Sequence, residues 1–120
     1  MNKIENSDHA IKVLKESSAL LDASLLSLKI SVENFIVICE MNIKPREGSM
    51  VSNIVLRIRD VKRFDFHYDS NNDFYLIDRY KLFLTANGNV YFSLDPYSEE
   101  SNESENDCGV IIGKEILLQA

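Results

Sequence analysis

Two periodicities divide the chain. Ile11, Leu14, Ser18 and Leu21 recur at helical spacing, with Ala10 and Val13 beside them and Lys12, Lys15 and Glu16 on the opposite side. With Asn6 or Ser7 as the cap, this predicts one helix over residues 7–21. Beyond it the period becomes two. Leu26, Leu28, Ile30 and Val32 alternate with Ser27, Lys29, Ser31 and Glu33, the pattern of a half-buried strand. A tight turn at Glu33-Asn34 leads into Phe35–Ile43, apolar on both sides and suited to a central strand. Lys44 to Asn53, with Pro45 and Gly48, reads as a polar loop.

Alternation resumes with Ile54, Leu56 and Ile58 against Arg57 and Arg59, then with Phe64, Phe66 and Tyr68 against Asp65, His67 and Asp69. A bend or bulge over Asp60–Arg63 joins the two runs, and Ser70-Asn71-Asn72-Asp73 is a turn. Asn87-Gly88 suits a type I′ hairpin turn, which sets Phe83 opposite Phe92 and Leu84 opposite Tyr91. Both faces of that hairpin are apolar over much of their length, so it belongs in a sheet covered on two sides. Gly113-Lys114 between Val110-Ile111-Ile112 and Ile116-Leu117-Leu118 predicts a short terminal hairpin. The expected fold is α+β: the N-terminal helix packed on a predominantly antiparallel sheet of about six or seven strands, within one domain spanning 1–120 and β-rich over 25–118.

Charge adds a feature that the pattern alone does not show. Asp95, Glu99, Glu100, Glu103, Glu105 and Asp107 fall together with no lysine or arginine among them, and the formal charge of the whole chain is -6. Setting these six aside leaves 13 acidic against 13 basic residues, so the acidic excess is one local surface loop over 96–107. Such a patch repels nucleic acid and anionic membrane and attracts basic protein surfaces.

Residues 1–6 hold no apolar run of the signal-peptide kind, and no apolar stretch reaches the length of a membrane span. A cytoplasmic location is therefore expected, with Cys39 and Cys108 reduced. The two cysteines form no CxxC or zinc-type cluster.

At Tyr91-Phe92-Ser93-Leu94-Asp95-Pro96-Tyr97, followed by Ser104-Glu105-Asn106-Asp107 and Val110-Ile111-Ile112, the chain resembles small bacterial immunity proteins. These neutralise polymorphic toxins, among them the toxins of contact-dependent growth inhibition systems. The similarity reaches back through Tyr80-Lys81-Leu82, Phe64, Phe66 and Asp60-Val61, and covers residues 52–118. It implies a cytoplasmic antitoxin that binds one cognate toxin domain, one to one, and blocks its active site or substrate cleft. It implies no catalytic residue and no cofactor, and it carries over no contact surface. Toxin domains of this kind are often nucleases, whose basic clefts clustered carboxylates can fill in place of phosphates. The expected contact residues are Asp95, Tyr97, Glu99, Glu100, Glu103, Glu105 and Asp107.

Other chemistry is less well supported. His67 between Asp65 and Asp69 has the flanking carboxylates of a general base and would serve a small hydrolase, but no serine or cysteine nucleophile is paired with it. Glu103, Glu105 and Asp107 lack the glycine and the spacing of a calcium loop, so no metal site is expected. Lys44, Arg46, Arg57, Arg59, Lys62 and Arg63 form a basic counterpart, expected to pair internally with the acidic loop or to join a mixed-charge interface rather than to bind nucleic acid. A non-inhibitory adaptor fits the same composition.

Overall fold

In the computed structural model, which describes residues 3–49, 51–68, 70–71 and 73–120, a two-residue strand β1 (Lys3–Ile4) precedes helix α1 (Ser7–Ser17). The Asn6 side chain caps the helix by accepting from the His9 amide at 2.9 Å. Ser7 Oγ accepts from the Ile116 amide at 3.0 Å, which ties the first turn to the sheet. Ala10, Ile11 and Leu14 are buried. The helix ends four residues before the predicted Leu21, because Ser18 turns left-handed (φ 53°) and sends Ala19 and Leu20 into the core. Arg46 Nη1 takes up the carbonyls of Ser18 and Leu21 at 2.6 and 3.2 Å, satisfying acceptors that a helix end leaves open.

The strands that follow are β2 (Ala23–Glu33), β3 (Ile36–Lys44), β4 (Ile54–Asp65), β5 (Leu76–Ile77), β6 (Lys81–Leu84), β7 (Val90–Asp95) and β8 (Cys108–Gln119). All pairings are antiparallel, in the order β5-β2-β3-β4-β8-β7-β6, with β1 beside β8. The fold is α+β, one N-terminal helix on an antiparallel sheet, as the periodicities predict. Ile43, Met41, Cys39, Ile54, Leu56, Ile58, Ile116 and Leu118 from neighbouring strands meet the helix residues in a continuous core.

Three local expectations are corrected. The turn between β2 and β3 has Asn34 and Phe35 at its centre, both with positive φ (51° and 66°), one residue later than predicted. The hairpin β6–β7 pairs Leu82 with Phe92 and Phe83 with Tyr91, one residue out of the predicted register. The Gly88 amide bonds the Thr85 carbonyl at 2.9 Å and the Thr85 amide bonds the Asn89 carbonyl at 2.8 Å. Only Gly88 is left-handed there, so the loop is a type I turn closed by a bulge rather than a type I′ turn.

Finally, Gly113-Lys114 is no turn, since β8 runs through it unbroken. Gly113 lies opposite both Val61 and Val90. A Cβ there would collide with the Ile58 side chain and come within 3.0 Å of the Arg59 carbonyl. The glycine serves close approach of strands.

The bend expected over Asp60–Arg63 is present: Asp60 has φ 54° and the β4–β8 register shifts between Val61 and Arg63. β4 ends at Asp65, so Phe66, His67 and Tyr68 leave the ladder. Phe66, Tyr68 and Phe74 pack together, with ring centroids 5.8 Å apart from Phe66 to Phe74 and from Tyr68 to Phe74. Asp69 and Asn72, assigned to the polar side of His67 and to the following turn, lie outside the described residues.

Candidate functional site

The acidic segment joins β7 to β8, and it folds back over the outward face of β6 and β7. On that face sit Lys81, Phe83, Tyr91 and Ser93, with Phe83 stacked on Tyr91 at 4.9 Å. A lysine in this position needs a partner, because an isolated ammonium cannot be buried cheaply. Lys81 finds it in Asp107: Nζ lies 3.0 Å from Oδ2, and both side chains are closed to solvent. Tyr91 donates its hydroxyl to the same oxygen at 2.6 Å, and the Ser104 amide does so at 3.1 Å. Oδ1 accepts from the Tyr97 amide at 2.8 Å. Lys81 also donates to the Asn102 carbonyl at 2.8 Å.

The electrostatics follow from this saturation. Burial pushes the Asp107 carboxyl up, but the donors Tyr91, the Tyr97 amide and Lys81, together with the Lys81 charge, outweigh it and hold the group below the ordinary carboxylate value. The Tyr91 hydroxyl is pushed well above its usual range, first by burial and then by its bond to Asp107. At neutral pH the pair is therefore carboxylate and phenol.

Two further contacts hold the segment's ends. Ser93 Oγ donates to the Cys108 carbonyl at 2.7 Å, and Arg79 Nη2 donates to the carbonyl of buried Pro96 at 3.1 Å.

Of the seven residues expected to contact a partner, Asp107 is thus not available. Its carboxylate is spent inside the protein, because it is the counter-charge of Lys81. Asp95, Glu99, Glu100, Glu103 and Glu105 are exposed, and Tyr97 keeps 66 % of its surface in solvent. The loop carries its charges outward on a backbone fixed from within.

Beside it opens a hollow of about 620 Å³, whose lining includes Asp22, Asp73, Asp78 and Asp95 with Arg79, Phe74 and Leu94. Asp95 belongs to both features, so the acidic surface continues from the loop into the hollow. Asp22, Asp73 and Asp78 are scattered in the sequence and no spacing marks them. They converge because Ala23 pairs with Ile77 and the Asp22 amide bonds the Ile77 carbonyl at 2.8 Å.

Among the described residues the basic segment forms no ion pair with the acidic loop. Arg57 lies near Glu40 and Glu33 (3.5 and 3.6 Å), Arg59 near Glu115 (2.6 Å), Lys62 near Asp60 and Arg63 near Asp65 (3.0 Å each). These pairs are local or cross-strand, so the expected internal pairing exists with other acids. His67 is exposed, and Asp65 beside it already serves Arg63.

Neither thiol is activated. Burial raises Cys39 to about 12, and burial with Asp95, Asp65 and Asp107 raises Cys108. Among the described residues no cluster of three or more His, Cys, Asp or Glu side chains is arranged to hold a metal, and no helix is long and apolar enough to cross a membrane.

Comparison of the chain with protein families, with curated proteins and with solved structures finds no match.

Proposed function

We propose that this protein is an antitoxin: it binds the cognate toxin domain of a polymorphic toxin system in the cytoplasm and neutralises it by occupying its active site or substrate cleft. One observation supports this reading above the others. Asp95, Glu99, Glu100, Glu103 and Glu105 stand in solvent on a loop whose shape is set by the buried Asp107–Lys81–Tyr91 contacts. A partner therefore meets clustered negative charge at little ordering cost, and Tyr97 adds a solvent-facing aromatic ring of the kind that anchors interfaces. The fitting partner surface is a basic cleft, as in a nuclease. Complementary charge of this kind mainly speeds encounter, while close packing at the cleft sets the lifetime of the complex.

The test is co-expression with the C-terminal domain of a large secreted protein encoded next to this gene, followed by isolation of the complex. Rescue of growth together with a stable one-to-one pair is the expected result. Growth arrest despite full expression of both chains, or turnover of a substrate by this protein alone, would refute the proposal.

A further inference from the structure

The outer edge of β2 is open along most of its length. β5 pairs with it at Ala23 and Ser24, and the Leu25 amide bonds the Tyr75 carbonyl at 2.7 Å. From Leu26 to Glu33 no strand covers that edge among the described residues. The two-residue turn makes Glu33 and Ile36 the closing pair of the β2–β3 hairpin. The backbone groups of Glu33, Ser31 and Lys29 therefore point toward β3, and those of Val32, Ile30 and Leu28 point outward. Val32 keeps 65 % of its surface exposed and Ile30 40 %. A long, partly apolar free edge is a template for another strand.

We infer that the occupant of this edge is β2 of a second copy of the chain, paired antiparallel about Ser31. In that register Ile30 faces Val32 of the other copy. Both point their amides and carbonyls outward, so the two residues bond reciprocally. The same register sets Lys29 of each copy against Glu33 of the other, one opposite-charge pair on either side of the two-fold axis. Glu33 lies 3.6 Å from Arg57 yet keeps 61 % of its side chain in solvent, so it remains reachable.

The turn at Asn34 and Phe35 then lies toward Ser27 and Leu28 of the second copy, near a hollow of about 350 Å³ whose lining includes Leu25, Leu26, Leu28, Phe64 and Tyr68. Phe35 is fully exposed and left-handed, in the turn position that glycine fills best. A strained, solvent-facing ring at that position points to a binding role. The pairing uses residues 28–34, whereas the hollow shared with Asp95 lies at the Asp22 and Ala23 end of β2, so the dimer leaves the acidic loop free and does not depend on toxin binding.

Sedimentation equilibrium of the full chain alone tests the inference, with a reversible species of twice 13.7 kDa expected. Lys29→Glu and Glu33→Lys should each weaken self-association at least about tenfold by setting like charges face to face. An equimolar mixture of the two variants should recover the wild-type affinity. Phe35→Gly, which suits the turn, should keep the fold intact by circular dichroism and still weaken the dimer. A chain that stays monomeric at millimolar concentration overturns the inference, as does a dimer insensitive to both charge reversals. Protection of the Ile30 and Val32 amides from exchange only after a different protein is added would also overturn it and assign the edge to that protein.

Discussion

The Lys81 ammonium and the Asp107 carboxylate meet at 3.0 Å across 26 residues of chain, with neither side chain reaching solvent. Removing one member leaves the other charged and buried. Asp107→Asn is expected to cost about 3–5 kcal/mol in urea unfolding. Lys81→Met should cost less, because Asp107 keeps the Tyr91 hydroxyl and the amides of Tyr97 and Ser104. The double variant should lose less than the sum of the two. A loss below about 1 kcal/mol for Asp107→Asn would show that the pair is not what holds the loop.

The same carboxylate sets an acid limit. Its folded value lies below the ordinary 3.8, so its contribution is fully present above that value and is lost as pH falls through the lower folded one. Stability should therefore hold down to about pH 4 and drop steeply below it. The Asp107→Asn variant should lack this part of the drop. Tyr91, displaced upward from its ordinary value of 10, gives the mirror case: its share of stability is present below that pH and declines as pH rises above it. Phenolate absorbance should then show one tyrosine ionising only as the chain unfolds.

Charge and shape of the loop can be separated. Converting Glu99, Glu100, Glu103 and Glu105 to Gln leaves every bond to Asp107 in place. Stopped-flow association with the toxin domain should slow and lose most of its salt dependence, with the melting temperature almost unchanged. Equal rates at low salt would reduce the loop to solvated surface.

His67→Ala should leave growth rescue and complex affinity unchanged, since the proposed action is occupancy of the cleft. Loss of rescue with binding and folding intact would move the reading toward catalysis.

Gly113→Ala should destabilise by about 1–3 kcal/mol, the usual range for an overfilled core. The new methyl meets Ile58 and the Arg59 carbonyl. Ile58→Ala, which removes the Cγ2 methyl that the new Cβ meets, should couple with Gly113→Ala in a double-mutant cycle, the combined loss falling short of the sum of the two.

Much of the architecture was readable because hydrophobic period reports local geometry directly. The helix start at Asn6, the alternation along β4 and the bend near Asp60 follow from residues close in sequence. Along β2 the strand was readable but its expected buried side was not borne out: the register shifts between Leu25 and Ser27, and Leu26, Ile30 and Val32 stand in solvent. The β6–β7 register was not legible, since Asn87-Gly88 suits either a type I′ turn or a type I turn with a bulge. One residue of slip exchanges the faces of Phe83 and Leu84. Gly113 misled in a similar way: close approach and tight turning both call for the absence of a side chain.

Asp107 looked like one carboxylate among six. Its distinction lies in Lys81, a charge set between Tyr80 and Leu82 in an apolar strand, and that demand for a distant partner was the available signal. The convergence of Asp22, Asp73 and Asp78 with Asp95 has no local signature at all.

The strand order gives β8 a further consequence. The β2–β4 meander and the β6–β7 hairpin are each built from neighbouring stretches of chain, yet they join only when Cys108–Gln119 slides between β4 and β7. Assembly thus waits on one long-range insertion, the slow kind of step for an antiparallel sheet. Until it happens two raw edges face each other across an empty slot, and a chain severed within the acidic segment would regain its shape only if the severed strand returned as a separate peptide.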